Sequence, residues 1–227
     1  MKKYLFLFLI AIFVMSCSKK VEVKGKIKGA NPTDRIEFVE ASGVATLPLA
    51  NLGVDKSGNF SGTFEAPKDG MYVITYQGRQ NLIFLKGGET VDITGNASTF
   101  PAEYTITGDA KKDNDFFKAC QKYLSSYGQK LNIEQLMMGD EKAFLAGMQK
   151  IETDFNKNIE EKVKEYNPSS AVVNWKKDDV KAAVLNLMVN YQLGKQQMSG
   201  NPSFKLSKAF SDYEEKLQDN KDNMLKT

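Results

Sequence analysis

Histidine is absent from all 227 residues. Without imidazole the chain has no Ser-His-Asp triad, no Cys-His pair and no His-ligated zinc centre. Any catalysis would fall to carboxylates, lysine, tyrosine or a thiol. Thiols are scarce as well: the two cysteines are Cys17 and Cys120, and no Cys-x-x-Cys pair exists. Neither sign of charge dominates, with 31 basic against 28 acidic residues and a formal net charge of +3. That balance, with lysines and acids interleaved, gives no ground for nucleic acid as a partner. Internal repeats and low-complexity tracts are missing. Gly25-Lys26-Ile27-Lys28-Gly29 has neither the spacing nor the following helix of a dinucleotide fingerprint, so no cofactor is expected. The longest apolar run, Tyr4 to Met15, has twelve residues, well short of the roughly 20 that span a bilayer.

What is present begins with that run. Lys2 and Lys3 precede it, and Ser16 and Cys17 follow. The order positive, apolar, small is that of a secretory signal, whose apolar segment is roughly 7–15 residues. Val14-Met15-Ser16-Cys17 resembles a bacterial lipobox. The resemblance implies cleavage between Ser16 and Cys17, lipid attachment on the Cys17 sulfur and acylation of the new amine. The domain plan is therefore a signal peptide (1–16), a lipidated tether (17–20), a β-domain (21–108) and a helical domain or spacer (109–227). With Lys2 and Lys3 removed the mature chain is nearly neutral. An apolar fraction of 41% and a charged fraction of 26% are those of a folded chain. If Cys17 carries lipid, Cys120 is left without an intramolecular disulfide partner.

From Val21 the pattern has period two: Val21, Val23 and Ile27 on one face, Glu22, Lys24, Lys26 and Lys28 on the other. Further strands are expected at Arg35–Val39, Ala45–Val54, Asn59–Glu65, Met71–Tyr76, Asn81–Leu85, Thr90–Thr94 and Glu103–Thr107. Hairpin turns are expected at Asp55–Phe60 and Lys86–Glu89, and another turn at Pro67–Gly70. Asp55, Ser57 and Asn59 begin like a calcium loop, but Phe60 and Ala66 stand where that loop needs glycine and glutamate. Asn96-Ala97-Ser98 reads as a turn. Seven to eight short strands argue for an antiparallel sandwich or open barrel.

After Asp109 the period becomes 3.6, which makes the whole α+β. A first helix carries the stripe Phe116, Cys120, Tyr123 and Tyr127, and a second, capped by Asp140, runs through Phe144, Met148, Ile151, Phe155 and Ile159. Asn167-Pro168-Ser169-Ser170 breaks it. A third is expected from Asp178 or Asp179, apolar nearly all round and central, with Trp175 anchoring the junction to the sheet. Leu206, Phe210, Tyr213 and Leu217 form the fourth. Adjacent acids such as Glu160/Glu161 and Asp178/Asp179 diverge by about 100° around a helix, which is wrong for paired acid–base work. Cys120 is either a reactive thiol or a small buried hydrophobe, and nothing nearby in sequence activates it.

The β half resembles a domain of Gram-negative exported lipoproteins that lies N-terminal to thioredoxin-like thiol–disulfide oxidoreductases of the TlpA or peroxiredoxin-like kind. The residues are Gly25-Lys26-Ile27-Lys28-Gly29, the Asp55–Phe60 turn, Pro67 ahead of Tyr72, Ile83-Phe84-Leu85 through Gly87-Gly88-Glu89 to Ile93-Thr94-Gly95, and Gly108 with Asn114. In such relatives the Cys-x-x-Cys lies beyond a helical spacer, so no catalytic residue is carried over. The chain is then either a stand-alone version of that N-terminal half or a truncated form of a longer oxidoreductase. Two functions follow: a non-catalytic membrane-anchored module that binds an envelope protein partner or assembles with one, or a redox role through Cys120. A third reading makes Tyr72, Tyr76 and Tyr104 a ligand-binding face of the sandwich. Ser18, Lys19 and Lys20 after the lipidated position suggest, again by resemblance, the outer membrane, facing the periplasm or displayed on the surface.

Overall fold

Alternating side chains build eight strands over residues 20–108, and helical periodicity builds five helices over 111–218. The computed structural model describes residues 20–41, 47–201 and 203–218; the signal segment and Cys17 lie outside these. The strands are β1 (Lys20–Lys28), β2 (Arg35–Glu40), β3 (Ala50–Gly53), β4 (Asn59–Glu65), β5 (Gly70–Tyr76), β6 (Arg79–Leu85), β7 (Thr90–Asn96) and β8 (Tyr104–Gly108). The helices are α1 (Lys111–Gly128), α2 (Ile133–Met138), α3 (Glu141–Tyr166), α4 (Ser170–Ser199) and α5 (Lys208–Gln218). The α+β fold expected from the pattern is thus present, with one more helix than the periodicity announced.

Two four-stranded sheets, β4-β1-β7-β8 and β3-β2-β5-β6, make the sandwich. Val21, Val23 and Ile27 of β1 and Ile36 and Phe38 of β2 enter one shared core. Phe38 stacks on Phe64 of β4 at 5.3 Å between ring centroids, bridging the sheets. Gly25 lets β1 press against its neighbours, since a Cβ there would sit 2.0 Å from the Ile93 carbonyl oxygen. The expected antiparallel sandwich contains one parallel pair among the described strands, β1 with β7, where Val23 lies opposite Val91. Alternation records which face a side chain takes and carries no chain direction.

The turns are corrected in the same way. Asp55–Phe60 and Lys86–Glu89 do not close hairpins; each carries the chain from one sheet to the other. The hairpin that does form, β5–β6, turns on Gln77-Gly78, both at positive φ (49° and 74°) as a type I′ turn requires. The long strand expected over Ala45–Val54 is reduced to β3, and residues 42–46 lie outside the described ones.

Asp140 caps α3 as expected, its carboxylate accepting from the Ala143 N–H at 2.8 Å. Asp178 and Asp179 do not begin a helix: α4 starts at Ser170, directly after the Pro168-Ser169 break. Trp175 therefore lies within α4, edge-on to Phe117 of α1 at 5.8 Å. Nor is α4 buried all round, because Val189 and Leu193 are exposed. The extra helix, α2, is too short for a periodic stripe to reveal. Its Leu136 lies over Gly147 of α3, where a Cβ would come within 2.5 Å.

One hairpin serves two cores. Along β5 and β6, Tyr72, Ile74, Ile83 and Leu85 face the sandwich, while Met71 and Phe84 face the helices. The outer edge of β6 is closed by Asn114 of α1, which is fully buried (0% exposed). Its amide oxygen accepts from the Phe84 N–H at 2.9 Å and its amide nitrogen donates to the Phe84 carbonyl at 2.7 Å. A side chain thereby supplies the two hydrogen bonds that a further strand would make. Asn114→Ala leaves both Phe84 groups buried and unpaired. We expect a loss of roughly 2–5 kcal/mol in urea denaturation at unchanged m-value, with faster exchange of the Phe84 amide; a loss under 1 kcal/mol would refute the clamp.

Candidate functional site

Three places hold chemistry-bearing side chains. The first is the thiol. Cys120 lies on the buried stripe of α1, 2% exposed, in the helical core with Phe116 and Phe117. Burial pushes its pKa up to about 11, against weak opposing pulls from Lys176 and Lys162. At neutral pH it is a protonated, shielded thiol, the opposite of the exposed thiolate that exchange chemistry requires.

The second is a charge cluster where the helices meet the sheet. Asp113 of α1 accepts from the Ser169 N–H and hydroxyl, both at 2.6 Å. Lys86 lies 2.9 Å from Asp113 and 3.2 Å from Glu89. Glu89 takes the Lys86 backbone N–H on one oxygen at 2.8 Å. Its other oxygen is buried with no hydrogen-bond donor, because the Lys86 ammonium is close but misaligned. Burial raises the Glu89 pKa despite the pull of Lys86. On Lys86 burial acts downward, but its two carboxylate partners outweigh it and the pKa rises. A raised carboxyl beside a lysine resembles an acid–base pair. Here, however, the cluster ties the β6–β7 connection to the starts of α1 and α4, and its atoms are spent on that structural joint.

The third is a pocket of about 200 Å³ between α1, α3 and α4. Its walls are apolar: Ile151 and Phe155 from α3, and Val180, Val184 and Leu187 from α4, with Leu124 and Leu131 from α1 and the chain after it. Leu124 and Ala183 are exposed at its mouth. Lys176 and Asp179 are the charged residues in the lining. Lys176 is 1% exposed and donates to Asp179 at 2.7 Å. The sequence carried a sign of this site: Val172, Lys176, Val180, Val184 and Met188 recur at steps of four, and a lysine occupies an otherwise apolar stripe. A broader depression of about 780 Å³ between α1 and α3 sets Lys118, Lys122 and Lys162 against Asp115 and Glu161, and reads as a solvated surface.

The aromatic ligand face expected from three tyrosines is corrected. Tyr72 and Tyr76 are in the sandwich core, their hydroxyls donating to the Lys68 carbonyl at 2.5 Å and to Asp34 at 2.6 Å. Tyr104 donates to the Leu82 carbonyl at 3.3 Å. Asn96-Ala97-Ser98 is the expected turn, closed by the Asn96 side chain accepting from the Ser98 N–H at 3.0 Å. The lipobox residues Ser16 and Cys17 lie outside the described residues. Among the described residues no helix is long and apolar enough to cross a membrane.

No family model matches the chain, and no curated protein matches it.

Two outcomes are expected. Native protein at pH 8 should react with a maleimide on the order of a thousandfold more slowly at Cys120 than the unfolded chain does; equal rates would restore the thiol as a candidate. For Glu89, the folded state keeps a proton that the unfolded chain releases once the pH passes the ordinary value of 4.5. Its contribution to stability is therefore fullest below 4.5 and declines as pH rises toward the raised folded value. Glu89→Gln removes the decline, so its urea midpoint should gain on wild type as pH is stepped from 4 to 7. A constant difference would overturn this assignment.

Proposed function

We propose that the protein is a non-catalytic, membrane-anchored lipoprotein of the cell envelope, acting as a binding module through the apolar pocket between α1, α3 and α4. The pocket carries the reading: it is concave, apolar, open at the surface and holds one buried charge, the usual make-up of a small-ligand site. The anchor rests on the lipobox-like Val14–Cys17 stretch. Three acyl chains bury many methylenes at about 0.8 kcal/mol each, which makes attachment effectively permanent. Strand β1 begins at Lys20, three residues beyond Cys17, so at most about 11 Å of chain would separate the lipid from the sandwich. The outer membrane is the membrane proposed, from Ser18-Lys19-Lys20.

The alternative is that the chain is the N-terminal part of, or an accessory to, a periplasmic thioredoxin-like oxidoreductase. It rests on the resemblance, and the shielded Cys120 weighs against thiol chemistry in this chain itself.

Mass spectrometry of the mature amino terminus should find a lipidated Cys17, and Cys17→Ser should leave the membrane fraction; an unmodified thiol there removes the anchor. For the module, calorimetric titration with 1-octanol should show saturable binding to wild type, which Ala183→Trp at the pocket mouth should abolish. Failure of wild type to bind would remove the pocket as the site.

A further inference from the structure

Resting on that pocket reading, we infer that its ligand class is a compact amphipathic monocarboxylate: an alkyl or arylalkyl tail of about seven or eight non-hydrogen atoms, with the carboxylate held by Lys176. The size follows from the volume. A dry apolar cavity of about 150 Å³ accommodates benzene, so about 200 Å³ takes a slightly larger tail.

The head follows from the lysine. An ammonium carries three N–H donors and no acceptor. Among the described residues Lys176 makes one hydrogen bond, to Asp179, with its charge a further 5.9 Å from the Trp175 ring. It is 1% exposed, so water cannot serve the remaining donors freely. Asp179 is the solvent-facing half of the pair, its side chain 40% exposed. A second carboxylate arriving with an apolar tail would take the place of Asp179 on the ammonium while the tail fills the space between Phe155, Val180 and Val184. A cationic head would face the like charge of Lys176. A neutral alcohol fills the same volume and its oxygen can accept from the ammonium, but it brings no opposite charge, so its bond is the weaker one.

The experiment compares sodium octanoate, 1-octanol and octylamine by calorimetry at pH 7 against the full chain. Octanoate should bind about tenfold tighter than octanol, and octylamine should bind most weakly. Lys176→Met removes the charge, so it should erase the roughly tenfold advantage of octanoate over octanol, octanol itself losing much less because it brings no opposite charge. Asp179→Asn lies at the solvent side and removes the competing carboxylate, so it should tighten octanoate several-fold and leave octanol alone. That variant decides the matter by itself if Lys176→Met does not fold.

Octanoate no tighter than octanol in wild type, or an Asp179→Asn variant that does not tighten it, overturns the carboxylate assignment while the pocket reading stands. Binding of none of the three overturns both, as it would if another segment or a second copy of the chain fills the pocket.

Discussion

A buried side-chain amide holds this molecule together at the place where its two halves meet. Asn114 treats Phe84 as a neighbouring strand would, accepting from its N–H and donating to its carbonyl. Backbone groups at the edge of a sheet need partners, and burying them unpaired costs on the order of 1–3 kcal/mol each. Helix α1 can cover that edge only because an asparagine stands at this point on its surface. With α1 fixed there, Phe116, Phe117 and Cys120 fall onto the helical core beside Phe84 and Met71. The sandwich and the helices then share the β5–β6 hairpin, one face to each. A slip of one residue in β6 would exchange Phe84 with Ile83 or Leu85 and spoil both cores at once.

The charge cluster beside the amide has a different effect on stability. Lys86, Glu89 and Asp113 lie within one ion-pair network, and Asp113 also holds the start of α4 through Ser169. The network fixes angles between elements that are far apart in sequence. Its weak point is Glu89, which gives one oxygen to the Lys86 backbone and leaves the other without a donor. Desolvation outweighs the attraction of Lys86, which is why its pKa rises rather than falls. Geometry is gained there at a cost in free energy.

The parts legible in the sequence were those that depend on one local signal. The alternation in Lys20–Lys28 and Asn59–Glu65 marks both strands closely, and Asp140 marks the start of α3. What the pattern could not supply was pairing. Nothing in Val21–Ile27 announces a parallel neighbour at β7, because both pairings present the same faces. Glycine-bearing turns look alike whether they close a hairpin or cross between sheets, so Asp55–Phe60 and Lys86–Glu89 were assigned to hairpins while Gln77-Gly78, the true one, drew no notice. The start of α4 was misplaced because a pair of aspartates resembles a cap. Ser169 after Pro168 was the better signal, since the residue before a proline resists helix and the chain can resume just beyond it.

The candidate site was missed for a related reason: a third helix expected from Asp178 or Asp179 leaves Lys176 outside its apolar stripe, whereas α4 begins at Ser170. The stripe itself argues otherwise. On α4, Val172, Val180, Val184 and Met188 are all buried, and Lys176 stands on the same line at the same spacing. Placing an ammonium there sacrifices apolar contacts and requires desolvation, and replacing a buried ion pair by well-packed hydrophobic residues is often neutral or stabilising. A methionine would fill that position at lower cost. The pair with Asp179 does not remove the expense, because Asp179 remains partly in water and gives its charge incompletely to its partner. Glu89 and Lys176 are both buried charged side chains, with different surroundings. Glu89 sits in a joint whose other atoms are committed to structure, whereas Lys176 belongs to the lining of a pocket open at Leu124 and Ala183.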